Sequence, residues 1–306
     1  MKNSPAKLKR GSVPVSVLIP VLNEEANLEA CLKTVQWAAE VVVVDSNSRD
    51  KTSEIAAQYG ARVVQFNWDG KFPKKKNWAL ENVEWQNEWV LILDADEHIT
   101  PPLAQEIASV VKLNEKDAYY INRRFMFMGG WLRYCGYYPS WNLRLLKHKL
   151  GRYERLEVAG DTKSGDNEVH EHILLESGDQ NAGWLKSDML HFAYPNIDVW
   201  IEKHNRYSNW EARVRSELHD QSAGNKMNAS LFGNPLERKR YMKKLGQSIP
   251  FLSPTIRFTY HYIIKQGFRD GYKGFVFCRL LAFYEFLSVV KAVEYRLQAK
   301  AEKKIE

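Results

Sequence analysis

The tripeptide Asp94-Ala-Asp96 sets two carboxylates one residue apart, directly after the apolar run Trp89-Val-Leu-Ile-Leu93. Two acids emerging together can hold a hard divalent cation with water and phosphate oxygens, whereas without a cation they repel each other. A solvated surface loop would carry the same pattern, but the five apolar residues before it read as a strand and place the acids at a sheet edge. Asp45 opens the stretch Asp45-Ser-Asn-Ser-Arg-Asp50, which by itself is a polar turn. Lys74-Lys-Lys76 is a basic run of the kind that is usually a solvated face. Glu168-Val-His-Glu-His172 supplies acids able to take a proton, and on a strand its two histidines would face away from Glu171. A zinc site built from His170, His172 and His191 lacks a fourth ligand at useful spacing.

The elements that must position these residues follow from hydrophobic pattern. Val13 to Pro20 is a β-branched run ending at proline, and it reads as a strand buried on both faces. Asn23 stands at an N-cap position, and Leu28, Cys31, Leu32 and Val35 recur at helical spacing. Val41-Val-Val-Val44 is a second buried strand. Ile55 to Tyr59 continue as helix, Gly60 closes it, and Ala61 to Gln65 is a third strand. Trp89 to Leu93 is the fourth. Strands alternating with helices over short connections imply an α/β fold with a parallel sheet, whose ligands sit beyond the carboxyl ends of the strands. Those ends carry Asn23 and Glu24, Asp45, and Asp94 with Asp96. Farther on, Tyr119 to Phe125 suggests a strand, Met128-Gly-Gly-Trp131 a glycine-rich turn, and Arg144-Leu-Leu146 another strand.

The chain has 306 residues, 44% hydrophobic and 26% charged, which excludes global disorder. A formal charge of +7 favours anionic partners. No recognisable nucleic-acid motif accompanies it, so nucleic acid is not an expected partner. Three widely spaced cysteines suit a reducing compartment. Met1 to Arg10 is basic without an apolar core, and no uncharged apolar stretch of ~18 residues occurs, so neither a signal peptide nor a spanning helix is expected.

Val17-Leu-Ile-Pro-Val-Leu-Asn-Glu-Glu25, Val43-Val-Asp-Ser-Asn-Ser-Arg-Asp-Lys-Thr52 and Leu93-Asp-Ala-Asp-Glu97 together resemble the nucleotide-sugar half of a family 2 glycosyltransferase of the GT-A type. The resemblance implies a GT-A nucleotide-sugar-binding fold and inverting transfer of glucose or a related hexose from a uridine-diphosphate (UDP) sugar. In it, Pro20, Val21, Asn23 and Glu24 line the nucleotide, and Asp45 meets the uracil. Asp94 and Ala95 face the ribose and donor, while Asp96 binds Mg²⁺ or Mn²⁺. Lys76, with Lys75 as the alternative, lies near the diphosphate. Glu171 is the implied base, with Asp166 and Glu168 behind it, His191 stands near the metal, and Trp131 and Trp141 stack on sugar. The turn after Asp45 is poorer in glycine than the family's, and Arg49 occupies part of it.

Residues from Ile197 read as helix, Gly224 to Pro235 as a break, and Phe251 to Val293 as helices mixing aromatics with Arg257, Lys265, Arg269, Lys273 and Arg279. This stretch fits a membrane interface; packing on the catalytic domain is the plainer reading. Gln266-Gly-Phe-Arg-Asp-Gly271 and Leu280-Leu-Ala-Phe-Tyr-Glu-Phe286 are similar to bacterial transferases of lipopolysaccharide core, including a β-1,4-glucosyltransferase group. The expected organisation is a basic tail over 1–12, a catalytic domain over 13–196 (nucleotide half 13–117, acceptor half 118–196), and a helical region over 197–306. The expected acceptor is a lipid-linked glycan at the cytoplasmic face of an anionic membrane, with a polyprenyl phosphate as the rival acceptor. A non-catalytic basic binding protein is the rival from another class, and it gives no reason for paired acids at a strand end.

Overall fold

In the computed structural model of the protein, residues 8–155, 166, 172–220 and 252–302 are described. They fall into two compact units: Met1–Phe125 with Pro139–Ala193, and Met126–Tyr138 with Tyr194–Glu306.

The first unit is α/β. Its elements are β1 (Val13–Val21), α1 (Leu28–Thr34), β2 (Ala38–Asp45), α2 (Thr52–Gln58), β3 (Arg62–Gln65), α3 (Lys75–Asn82), β4 (Trp89–Ile92), β5 (Glu97–His98), α4 (Pro101–Leu113), β6 (Ala118–Phe127), β8 (Trp141–Lys147), β9 (Gly151–Tyr153), β10 (Ile173–Leu175) and β11 (Ala182–His191). The main sheet runs β3-β2-β1-β4-β8-β6-β11-β5. β1 pairs in parallel with β2 and β4, β2 with β3, and β6 with β11. β8 is antiparallel to both β4 and β6, so β6 and β11 point the same way as β1, β2 and β4. The carboxyl ends of all these parallel strands therefore share one edge.

Burial explains why the runs form these elements. Val15, Val17, Leu18, Ile19, Val42 to Val44 and Val90 to Ile92 are wholly buried, as continuous apolar runs in a sheet covered on both faces must be. Leu28, Cys31 and Leu32 bury the inward stripe of α1, and Leu103, Ile107 and Val111 that of α4. Thr100 caps α4, its Oγ1 accepting from the Leu103 N–H, and Pro101 follows where a missing N–H is harmless. Gly60, at φ +76°, ends the turn after α2 as the sequence predicts.

Asn23 departs from expectation. Helix α1 starts five residues later, and Asn23 adopts φ +56°, a left-handed conformation that asparagine tolerates better than most residues. Its Oδ1 accepts from the Arg49 N–H at 2.9 Å, so it braces two loops rather than capping a helix.

In the second unit, β7 (Gly130–Trp131) closes a hairpin with Met126 and Phe127 through Met128 and Gly129, both at positive φ. Helices α5 (Ile197–Asp220), α6 (Ser253–Thr259) and α7 (Gly271–Glu302) follow, with a π-helical turn over Tyr260–Ile264 and a 3-10 turn over Gly267–Asp270 joining α6 to α7. Trp200 is fully buried and stacks on His204 at 3.6 Å. Glu285 is held by Arg215 and Arg257, each at 2.8 Å. Gly274 lets α7 approach the turn at Gly267, whose carbonyl oxygen would lie 2.0 Å from any Cβ there. The expected break at Gly224 to Pro235 lies outside the described residues.

Candidate active site

Asp94 and Asp96 leave the end of β4, and β5 follows at once. The short pairing of β5 with β11 sets Glu97 opposite His191, and the Phe192 N–H donates to the Asp96 carbonyl at 2.8 Å. This brings His191 Nε2 to 3.6 Å from Asp96 Oδ2, with both side chains partly open to solvent. The position of β11 is set by Asp188, which bonds Asn122 Nδ2 at 3.0 Å and Arg124 Nε at 2.7 Å across the neighbouring strand.

Asp94 sits between two buried cations. Lys76 Nζ lies 3.1 Å from Oδ1, and Arg144 Nη2 lies 2.6 Å from Oδ2. Burial alone would raise the Asp94 pKa, but Arg144 and then Lys76 hold its carboxyl far below the usual range. The same pairing, dominated by Asp94, raises the Lys76 pKa against the penalty of burial. Arg144 also reaches Glu97 Oε1 at 2.9 Å, and Arg123 approaches that oxygen at 3.4 Å. Glu97 accepts the Asp94 N–H through its other oxygen, at 3.0 Å. The Asp-Ala-Asp turn is thus clamped from below by an Arg144–Glu97 pair with almost no solvent contact.

The loop after β2 is equally determined. Asp45 is buried and accepts from Ser48 N at 3.0 Å, Ser53 Oγ at 2.8 Å and Gln65 Nε2 at 3.2 Å. Burial pushes its pKa up, and these donors outweigh it and keep the carboxyl below its ordinary value. Ser48 Oγ receives the Asn23 N–H at 2.8 Å, and Thr52 Oγ1 receives that of Glu24 at 2.8 Å. Pro20 and Val21 are buried at the end of β1, and the Val21 carbonyl accepts from Lys75 Nζ at 2.8 Å. Lys75 is also 3.0 Å from Asp166, which Ser46 Oγ contacts as well. Burial lowers the Lys75 pKa, with Asp166 opposing. Ala95 is buried between the two acids.

The structure therefore places Pro20, Val21, Asn23, Glu24, Asp45, Lys76, Asp94, Ala95, Asp96 and His191 at strand ends, in the loops that follow them and at the start of α3, all in the first unit. Trp141 is exposed at the start of β8 in the same unit. Trp131 belongs to the second unit, where it lies edge-on to Tyr138. Glu171, Glu168 and His170 lie outside the described residues. Asp166 is engaged by Lys75 and Ser46, and His172 is exposed beside Glu154. Sequence reasoning passed over Arg144 and Glu97. The signal was a lone arginine within Leu143-Arg-Leu-Leu146, a segment of β8 whose other three members are apolar and buried.

Asp96 and His191 suit a divalent cation as a partial ligand set. Mg²⁺ and its like take one or two protein ligands and complete their shell with water and phosphate oxygens. Among the described residues no group of three acids, histidines or cysteines forms a full cage, so a bound ion would take its remaining ligands from donor and solvent.

Residues 16–165 match the family described as Glycosyl transferase family 2. A domain of that family thus fills just under half of the chain. The chain is a glycosyltransferase, and relatives of similar length share most of it. The lipopolysaccharide core biosynthesis glycosyltransferase LpsC of Rhizobium meliloti (strain 1021) is 27% identical over 289 residues, spanning 91% of this chain and 92% of that protein. An uncharacterized glycosyltransferase of Rickettsia bellii (strain RML369-C) is 25% identical over 290 residues, 93% of this chain and 87% of its own. Among solved structures, S. aureus TarS 1-349 aligns over 94% of this chain and 92% of that chain at 17% identity, with a TM-score of 0.42.

Proposed function

We propose that this family 2 glycosyltransferase moves a hexose, with inversion, from a UDP-sugar to a hydroxyl of a lipid-linked saccharide of the lipopolysaccharide-core type. The observation that carries the reading is the division of labour at the end of β4. Lys76 and Arg144 hold Asp94 from both sides, and Asp96 lies 3.6 Å from the His191 imidazole, both of these side chains being partly open to solvent. A carboxylate beside an imidazole suits an ion, so Asp96 and His191 are assigned the metal, and Asp94, locked between its two cations, is held in place to meet the donor. The naming of LpsC for lipopolysaccharide core biosynthesis supports the acceptor class.

The chain's own groups divide the work as follows. Asp45 and the loop of Asn23 and Glu24 form the floor for the nucleotide, and their mutual hydrogen bonds set that floor before any donor arrives. Lys76, with its Nζ fixed beside Asp94, adds positive charge where the diphosphate leaves. Mg²⁺ or Mn²⁺, held by Asp96 and His191, would act as a Lewis acid on the departing diphosphate. Glu171 takes the proton from the acceptor hydroxyl. Trp141, exposed on β8, offers a flat face for sugar.

The test is a panel of nucleotide sugars, with release of the nucleoside diphosphate as readout. Turnover of a UDP-hexose that stops with excess chelator is the expected result. Turnover of another nucleotide's sugar, or turnover indifferent to chelator, overturns the donor or the metal assignment respectively.

A further inference from the structure

Helix α7 carries two apolar stripes, and the fold uses only one. Phe277, Cys278, Leu281, Val289 and Ala292 are buried against the rest of the second unit. Tyr272, Phe275, Phe283, Phe286, Val290 and Leu297 are all exposed, Tyr272 at 72% and Leu297 at 62%. At about 100° per residue these six fall within a strip roughly 80° wide, opposite the buried face. The strip runs ~38 Å along the helix, at about 1.5 Å per residue. A surface helix ordinarily fills that side with charge, so an apolar strip interrupted there by a single arginine marks a surface that meets something.

The strip continues past the start of the helix. Ile263, Ile264 and Phe268, in the turn that joins α6 to α7, are also exposed, at 54%, 64% and 49%. The charges around the half of the strip before Leu280 are mostly of one sign, while Glu294 flanks its far end. Between residues 252 and 279 the basic residues are Arg257, Lys265, Arg269, Lys273 and Arg279, and the single acid is Asp270. Asp270 is turned inward to the N–H groups of Arg133 and Tyr134, and Arg257 is spent on Glu285. Arg279 lies within the strip itself, over the Phe258 ring at 5.5 Å, and Lys265 lies over Tyr260 at 5.4 Å. Such stems lie along apolar surface while their heads reach outward.

We propose that this face of the second unit lies in the headgroup region of an anionic lipid bilayer, with the α7 strip and the 263–268 turn against the acyl boundary. Aromatic and aliphatic side chains beside Lys and Arg are what an interfacial helix presents. No helix among the described residues is long and apolar enough to cross a membrane, so the helix lies along the surface. A second copy of the chain is the alternative occupant, and it would bring an identical positive rim against this one. Anionic lipid supplies the opposite sign. The proposal stands on the second unit alone and is independent of the donor and acceptor chemistry.

The experiment is co-sedimentation of the full chain with phosphatidylglycerol–phosphatidylcholine vesicles and with phosphatidylcholine alone. Preferential binding to the anionic vesicles is expected, weakening as salt rises but with a salt-resistant remainder. Replacing Lys265, Arg269, Lys273 and Arg279 by Gln should lower the partition roughly fivefold per charge, about 1 kcal/mol each. Phe275→Ser, Phe283→Ser and Phe286→Ser together should remove the salt-resistant part. A nitroxide on Phe286→Cys keeps the native strip otherwise whole, and Cys31, Cys135 and Cys278 are buried, so the label is selective. It should report burial at the acyl boundary. Equal binding to both vesicle types, a nitroxide that stays in water, or a dimer that the serine substitutions dissolve would each overturn the proposal. UDP release from a sugar donor is measured separately, so failure here leaves the transferase reading intact.

Discussion

Arg144→Met removes the cation on which the Asp-Ala-Asp turn rests. Glu97 is fully buried and Arg144 is 5% exposed, so the pair they form at 2.9 Å has little water to replace it. Removing one partner of a buried ion pair costs about 3–5 kcal/mol, because the other charge is left in the interior. Two features place this case at the low end. Arg123 still approaches Glu97 at 3.4 Å and Lys76 still holds Asp94 at 3.1 Å. The Asp94 side chain is 31% exposed, and solvent screens that share. A loss of about 3 kcal/mol corresponds to a fall in melting temperature of roughly 6–12 °C for a unit of this size. Asp94 also gives the change a pH signature. Its folded pKa is depressed, so the stability it contributes is fully present above its unfolded value near ~4 and is lost as pH falls through the folded value. The gap between wild type and Arg144→Met should therefore stay constant from pH 7 to 5 and narrow below about pH 4. Thermal unfolding followed by circular dichroism measures both, and Arg144→Met with Glu97→Gln should recover part of the loss. A shift under about 2 °C, or a gap that widens in acid, refutes the clamp.

Glu171→Gln should leave donor binding intact while transfer falls by ~10²–10⁴-fold, as seen in single-turnover assays; unchanged transfer would favour an acceptor oxygen that is already anionic. His204 titrates at about 4 because burial against Trp200 disfavours its cation. Folding thus keeps it neutral, and the second unit should lose stability as pH falls from about 6.5 toward 4. His204→Gln should flatten that slope in urea melts, and an unchanged slope would place the titration elsewhere. Lys75→Met strips the Val21 carbonyl and Asp166 of their shared cation, and chemical denaturation should show a loss of about 1–3 kcal/mol.

The nucleotide half was legible because its signals were local and redundant. Three of the four apolar runs led into acids or asparagine beyond their carboxyl ends, and parallel pairing then forced those ends to one edge. Asn23 was misread as an N-cap because cap residues and left-handed turn residues are the same short polar types, and only the backbone separates them. The three lysines of 74–76 have the composition of a solvated run, against which the resemblance sets Lys76 or Lys75 near the diphosphate; all three are buried, and Lys75 and Lys76 find carboxylates that come from residues 166 and 94. No local pattern encodes such pairings. Trp131 was grouped with the acceptor half by chain order, while its hairpin belongs to the unit of the C-terminal helices. The outward strip of α7 was visible only as aromatic content, because two opposed stripes cancel the one-sided periodicity that sequence reading looks for.

Calorimetric titration of a UDP-hexose, with and without Mn²⁺, into wild type and Asp96→Ala tests the central claim most directly. Asp96 lies at a partly exposed strand end, so the substitution should leave the fold and its melting temperature in place. Metal-dependent donor binding in the wild type, absent in Asp96→Ala, is the predicted result. Donor binding of equal strength in both proteins, or binding that Mn²⁺ does not change, would contradict it.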